Sequence, residues 1–180
     1  MTQPFVCEAK RVVFIRVPKT GSTSVTKIVN DARNGPGWKK LGVPTHIRAT
    51  SIAEEYVEKY RDYNWFGGVR HPYTWIPSFH RWLSLKNTDE RLKWVDNYEI
   101  DRGWEPFIES IRWTPFEWID HRTIDVTPIP QEQSHLWEGI FGVKLPVFNV
   151  SDHKKPFELT PGIKALIDKK FSRELKFYAG

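Results

Sequence analysis

The sequence predicts an α/β fold with a parallel sheet, and three observations carry that prediction. Apolar runs at Arg11 to Val17 and Tyr63 to Val69 are each followed by a helical pattern, so strands alternate with helices. The first run opens directly into a loop of Lys, Gly and hydroxyl residues at the head of a helix. No internal repeat or low-complexity segment divides the 180 residues. The simplest organisation is a single domain over residues 1–180, long enough to bury a sizeable core.

The elements follow in order. Val12-Val13-Phe14-Ile15 is a continuous apolar run of the kind a buried strand needs. A helix is expected from Ser22 to about Arg33, ended by the turn chemistry of Asn34-Gly35-Pro36-Gly37. Ser51-Ile52-Ala53-Glu54 has the capping-box pattern, which places a second helix from Ile52 to about Arg61. Tyr63 to Val69 is the next buried strand, and a helix follows from about Trp75 to Leu85. Pro77 fits that helix if Thr74 is the N-cap, because the first turn has no intrahelical acceptors to lose; Ser78 then lies near the helix N-terminus. Asn87 to Arg102 reads as an exposed helix or excursion, and Glu105 to Trp113 as a helix. Pro115 to Pro130 reads as irregular or as carrying a short strand. Gln131 to Trp137 is a short helix and Val147 to Val150 the last strand. Thr160-Pro161 is an N-cap and N1 pair opening a helix to Phe171 or beyond.

Composition narrows the function classes. The formal charge of +5 suits an anionic cofactor or an anionic glycan, and nucleic acid would also fit the charge alone. No run of five Lys or Arg residues occurs, so no nucleic-acid partner is expected. One cysteine, Cys7, rules out an internal disulfide framework and a Cys-based zinc site. No His, Cys, Asp and Glu set has metal-ligand spacing, so no metal is expected. No signal peptide or apolar run near 18 residues is seen, which leads to the expectation of a cytoplasmic or otherwise soluble protein without a membrane anchor. Nine Trp residues are many for this length. Packing is their default role, with stacking on sugar or adenine rings the alternative for Trp38, Trp82, Trp94 or Trp104.

The chemistry concentrates in Pro18-Lys19-Thr20-Gly21-Ser22-Thr23-Ser24. A helix N-terminus presents N–H groups and the positive end of its dipole, and Gly21 lets the backbone approach a ligand closely. Lys19 adds a cation, and Thr20, Ser22, Thr23 and Ser24 add hydroxyls. Lys19 precedes the glycine and no G-x-x-x-x-G-K-[ST] occurs, so this is not a Walker A loop.

That loop resembles the 5′-phosphosulfate loop of Golgi-type carbohydrate sulfotransferases, nearest the uronyl and heparan sulfate 2-O-sulfotransferase branch. A second block, Trp65-Phe66-Gly67-Gly68-Val69-Arg70-His71-Pro72-Tyr73 followed by Ser78, resembles the family's apolar strand ending in V-R-N-P-[YW] with a Ser eight residues after the Arg. His71 stands where the family has Asn. The resemblance implies a P-loop-like three-layer sandwich, a central parallel sheet flanked by helices. It implies 3′-phosphoadenosine 5′-phosphosulfate (PAPS) as the cofactor. Lys19, Thr20, Gly21, Ser22, Thr23 and Ser24 would then hold the 5′-phosphosulfate, and Arg70 and Ser78 the 3′-phosphate. Golgi members are membrane-anchored, so a soluble bacterial or viral enzyme or an excised Golgi-type catalytic domain is implied.

Sulfuryl transfer needs an acceptor hydroxyl made nucleophilic and charge stabilisation on the leaving phosphate. A base with a pKa near neutrality suits the first task, and histidine provides it. Among six histidines, His46 is the candidate. Thr45-His46-Ile47-Arg48-Ala49-Thr50 resembles the family's H-A-T-A run, in the segment where related enzymes carry their base. Arg48 is a candidate contact for an anionic acceptor or the cofactor, with an ordinary surface role as its default. His71 is expected to support its turn and His80 to pack. Gln131 or Gln133 resembles a family Gln on the acceptor or adenine side, and Lys154 or Lys155 a phosphate contact in the Phe148-Asn149-Val150-Ser151-Asp152-His153-Lys154-Lys155 segment. Asn87 to Pro128, where acceptor selection belongs, matches no family pattern.

The function implied is a PAPS-dependent sulfotransferase acting by in-line displacement on a hydroxyl-bearing acceptor, possibly a glycan. His46 would take the acceptor proton while Lys19 stabilises the departing 3′-phosphoadenosine 5′-phosphate. Two alternatives stay open: a non-catalytic nucleotide- or polyanion-binding α/β module, and a P-loop small-molecule kinase. The kinase would require a Walker A loop and an acidic Mg²⁺ ligand, and neither is seen.

Overall fold

The structure, a computed structural model, describes residues 3–31, 37–43, 47–96, 102–144 and 157–180. The chain forms two compact units, Met1–Arg70 with Glu117–Val150, and His71–Phe116 with Ser151–Gly180.

The first unit is α/β. Its strands are β1 (Phe5–Cys7), β2 (Val12–Ile15), β3 (Trp38–Lys40), β4 (Asn64–Val69) and β5 (Val126–Pro130), in the order β3-β1-β2-β4-β5. The pairs β2–β4 and β4–β5 are parallel, while β1 runs antiparallel to both β2 and β3. The sheet is therefore mixed, with a parallel core of three strands. The strands expected at Arg11 to Val17 and Tyr63 to Val69 are its β2 and β4. The short strand allowed in Pro115 to Pro130 is β5. The expected strand at Val147 to Val150 lies outside the described residues.

Helix α1 (Ser22–Asn30) follows β2 as expected. Its buried Val25, Ile28 and Val29 pack with Phe5, Val12, Phe14 and Ile129 of the sheet. The same cluster takes in Trp137, Ile140 and Phe141 of the helix Ser134–Phe141, which joins at the end of β5. That helix runs four residues beyond the expected Trp137 end. The Trp137 indole donates to the Pro130 carbonyl at 2.7 Å, and its ring meets Phe14 at 5.4 Å. Helix α2 (Glu54–Lys59) lies before β4, and the Trp65 indole on β4 donates to the Tyr60 carbonyl that closes α2. The capping box is not formed. Ser51 belongs to a 3₁₀ turn at Ala49–Ser51, so the helix starts later and Ala53 is its N-cap, with no side-chain cap bond.

The second unit is helical among its described residues. Helix α3 (Pro72–Ser84) begins earlier than Thr74 would allow. His71 is the N-cap, its Nδ1 accepting from the Tyr73 N–H at 3.4 Å, and Pro72 takes the N1 position its fixed φ favours. Pro77 therefore sits inside the helix, with no N–H to give to the Tyr73 carbonyl. Ser78 is the seventh helical residue rather than part of the first turn. Then come α4 (Thr88–Arg91), α5 (Trp104–Ser110) and α6 (Pro115–Ile119), the last running from this unit back into the first. With the helix Ser134–Phe141 as α7, the chain closes on α8 (Pro161–Lys170) and α9 (Ser172–Ala179). Thr160 caps α8 as expected, its hydroxyl accepting from the Ile163 N–H at 3.2 Å. The core of this unit is aromatic: Trp75 stacks on Phe79 at 4.4 Å and meets Phe171 at 5.9 Å.

Tryptophan placement follows packing. Trp38 and Trp94 are buried, Trp38 against Phe141 and Trp94 against Trp82 and Phe79. Trp104 lies half-buried between His80 and Phe157. Among the described residues, no helix is long and apolar enough to cross a membrane.

Candidate functional site

Three neighbouring parallel strands end at one edge of the first unit's sheet, and the sequence motifs sit on their ends. β2 leads into Val17 to Gly21, β4 into Arg70, and β5 into Gln131. Ile15 pairs with Gly67 and Val69 with Pro130, and the Gln131 N–H donates to the Val69 carbonyl at 2.8 Å. The carboxyl edge of parallel strands is where open α/β sheets bind ligands, because the loops there are free to vary over a fixed scaffold.

The loop after β2 departs from ordinary backbone. Lys19 has φ of 64° and Gly21 φ of 88°, both left-handed. For Gly21 that conformation is free of strain, whereas for Lys19 it costs about 1 kcal/mol. Gly21 is the N-cap of α1 and supplies no side-chain acceptor. The first backbone bond of the helix is Val25 N–H to the Gly21 carbonyl at 3.2 Å. The N–H groups of Ser22, Thr23 and Ser24 thus precede any intrahelical acceptor and point out of the helix with its positive dipole end.

The side chains divide the work. Thr20 is buried and its hydroxyl donates to the Val17 carbonyl at 3.0 Å, closing the loop on itself. Its hydroxyl hydrogen therefore serves the loop. Ser24 is also buried, Ser22 and Lys19 are half-buried, and Thr23 is exposed. Gly68 on β4 lets the loop approach. A Cβ there would lie 2.6 Å from Thr20 Oγ1, 3.1 Å from the Thr20 carbonyl and 3.0 Å from the Trp137 ring.

Arg16 is the residue the sequence reading missed. It is 4% exposed, one residue past β2, and reads in sequence as an ordinary strand-end cation. Its guanidinium donates to the Ser22 carbonyl at 3.2 Å and to the Thr26 hydroxyl, and lies over the Phe5 ring at 4.9 Å. Burial pushes its pKa down to about 10, which leaves it charged at neutral pH. A cation is thereby fixed against the first turn of α1. The one available sign was an Arg beside so apolar a run.

Of the other expected site residues, Arg70 is half-buried at the end of β4 and is the last residue of the first unit. Ser78 belongs to the second unit and is 2% exposed on α3. His46 lies outside the described residues, as do Asn149, Lys154 and Lys155. Gln131 is half-buried and its side-chain Oε1 is buried with no hydrogen-bond partner among the described residues. Gln133 is exposed as the N-cap of α7. His71 supports its turn, and His80 packs on Trp104 and Phe107 at 4.7 and 4.8 Å, as expected of both. Among the described residues, no cluster of three His, Cys, Asp or Glu side chains is arranged to hold a metal ion.

This edge combines outward amides, a fixed buried cation, a half-buried lysine and a buried acceptor oxygen with no partner among the described residues. Such a set suits an oxyanion carried on a ligand that also has hydrogen-bond donors. Comparison of the chain with protein-family models, with curated proteins and with solved structures yields no match.

Proposed function

We propose that this protein is a PAPS-dependent sulfotransferase, transferring a sulfuryl group to a hydroxyl of an acceptor, with a carbohydrate as the acceptor class. The observation that carries the reading is the adjacency of two phosphate motifs. The Lys19 loop and Arg70 end neighbouring parallel strands at the same sheet edge, in the order the resemblance requires.

The residues present fit the group. The amides of Ser22, Thr23 and Ser24 and the Lys19 ammonium would bind the 5′-phosphosulfate, with Arg16 holding the α1 turn in place behind them. Arg70 would take the 3′-phosphate, as a guanidinium does well through paired N–H donors. PAPS supplies the activated sulfuryl group. His46 would accept the acceptor's hydroxyl proton, and Lys19 would neutralise charge on the phosphate oxygen that PAPS gives up as the sulfuryl group passes to the acceptor oxygen. The finer architecture, helix layers on both sides of a parallel sheet, belongs to the same proposal. Its support is α1 and α7 on one face, and α2 and Ile119 against Trp65 and Gly67 on the other.

Radiolabelled PAPS tests this with a panel of hydroxyl acceptors. The wild-type protein is expected to transfer label, and Lys19→Ala and His46→Ala each to lower turnover by about 10²–10⁴-fold. Only Lys19→Ala is expected to weaken binding of the bisphosphate product. Near-normal turnover by His46→Ala removes the base assignment. Bisphosphate binding with no transfer to any acceptor removes the enzymatic reading.

A further inference from the structure

A polar cleft of about 290 Å³ lies within the first unit at the amino ends of β4 and β5, a strand's length from the carboxyl edge where the cofactor is proposed to bind. Trp65 and Ile124, 2% and 8% exposed, give it an apolar base. The walls are polar, and the sheet sets their spacing. Trp65 pairs with Val126 and Phe66 with Thr127, so one step back Asn64 stands beside Asp125. Alternation then places Asn64, Asp125 and Thr127 on one face.

The charges on and beside the cleft are unequally matched. Arg61 lines it and is paired with Glu58. Arg11, which lies over the Tyr63 ring at 5.1 Å, is 3.9 Å from Asp62. Each guanidinium thus has a carboxylate. The Asp125 carboxylate has neither an ion pair nor a hydrogen bond among the described residues, and the side chains of Asn64 and Thr127 make no hydrogen bond there either. A carboxylate flanked by two neutral acceptors matches a cation that carries several N–H donors. An anion would be repelled by Asp125. A cation without N–H groups would leave the neighbouring oxygens unserved against an apolar base.

We propose that this cleft binds a primary ammonium group carried on a short alkyl chain. Asp125 supplies the opposite charge, Asn64 and Thr127 accept the remaining N–H groups, and Trp65 and Ile124 meet the alkyl chain. A free alkylamine and a peptide lysine share this chemistry, and separate probes distinguish them. The inference uses none of the residues that the sulfotransferase reading assigns, so either can fail without the other.

An amide-resolved NMR titration of the full chain with butylamine, tetramethylammonium and butyrate at constant ionic strength tests it. Butylamine, protonated at neutral pH, is expected to shift the Asn64, Asp125 and Thr127 amides saturably, with the other two weaker by about tenfold or more. Asp125→Asn, at an exposed position, is expected to weaken butylamine by about tenfold while leaving the circular dichroism unchanged. Asp62→Asn, which removes a carboxylate already matched by Arg11, is expected to change it by about twofold at most. Nα-acetyllysine amide binding about tenfold tighter than butylamine would assign the group to a peptide lysine, and equal or weaker binding to a free amine. Equal response to butylamine and tetramethylammonium, or butylamine binding unchanged in Asp125→Asn, overturns the proposal.

Discussion

The loop between β2 and α1 and the aromatic core of the second unit follow opposite rules. Around Trp75, large rings fill space at stacking distances, the helix opens on a side-chain cap at His71, and Thr160 caps α8. Around Lys19, a non-glycine residue holds a left-handed φ, the helix opens on a glycine with no cap, and a guanidinium is buried at 4% exposure. The first region is satisfied by its own residues. The second leaves the N–H groups of Ser22, Thr23 and Ser24 ahead of any intrahelical acceptor, beside a lysine held at a left-handed φ. Local rules broken together in this loop are what a binding site would produce, which is the reading proposed above.

The largest expected effect is in the self-satisfied region. Trp75→Ala removes a ring that is 2% exposed and should lower stability by about 3–5 kcal/mol in chemical denaturation. A loss below about 1 kcal/mol would mean that the aromatic stack is not the core of its unit. Next is Gly68→Ala, whose Cβ meets both Thr20 and Trp137. The backbone carbonyl of Thr20 cannot swing aside as a side chain can, so a loss of about 1–3 kcal/mol is expected.

Lys19→Gly sharpens the contrast because its two effects have opposite signs. Removing the Cβ at φ 64° should raise stability by about 1 kcal/mol, while affinity for a phosphate ligand falls by about tenfold or more. Gain of stability with unchanged affinity would mark Lys19 as a strained bystander. The smallest effect is expected at Asp168, which accepts from Lys164 and from the Tyr73 hydroxyl. These partners, Lys164 first, hold its carboxyl below the ordinary carboxylate value. The stabilisation is therefore present above that value and is lost as pH falls through the lowered one. Asp168→Asn should flatten the loss of stability that sets in as pH falls below the ordinary aspartate range of about 4, within the modest range of exposed pairs.

The strands β2 and β4 and the helix α1 were legible because apolar runs and a glycine-hydroxyl loop carry strong local signals. The hairpin of Phe5–Cys7 with Val12–Ile15 was not. Its turn, Glu8 to Arg11, contains no Gly, Pro or Asn, and Arg11 takes the left-handed φ of 52° that a glycine would have advertised. A three-residue strand such as Trp38–Lys40 is too short to show a period. The start of α3 was misread because Pro77 suggested a first turn, when the His71 cap and Pro72 at N1 outweigh one missing interior bond. The strand-to-helix break at Lys19 to Gly21 was legible in the sequence, yet the buried guanidinium behind it was not. A sequence shows which residues carry charge, but only the packing of Phe5 and the α1 turn fixes where Arg16 points.

The most direct measurement is calorimetric titration with 3′-phosphoadenosine 5′-phosphate beside 5′-AMP. Tight binding of the bisphosphate, with AMP weaker by about a hundredfold, is expected if the ends of β2 and β4 form one two-phosphate site. Equal binding of the two nucleotides, or none, would contradict it.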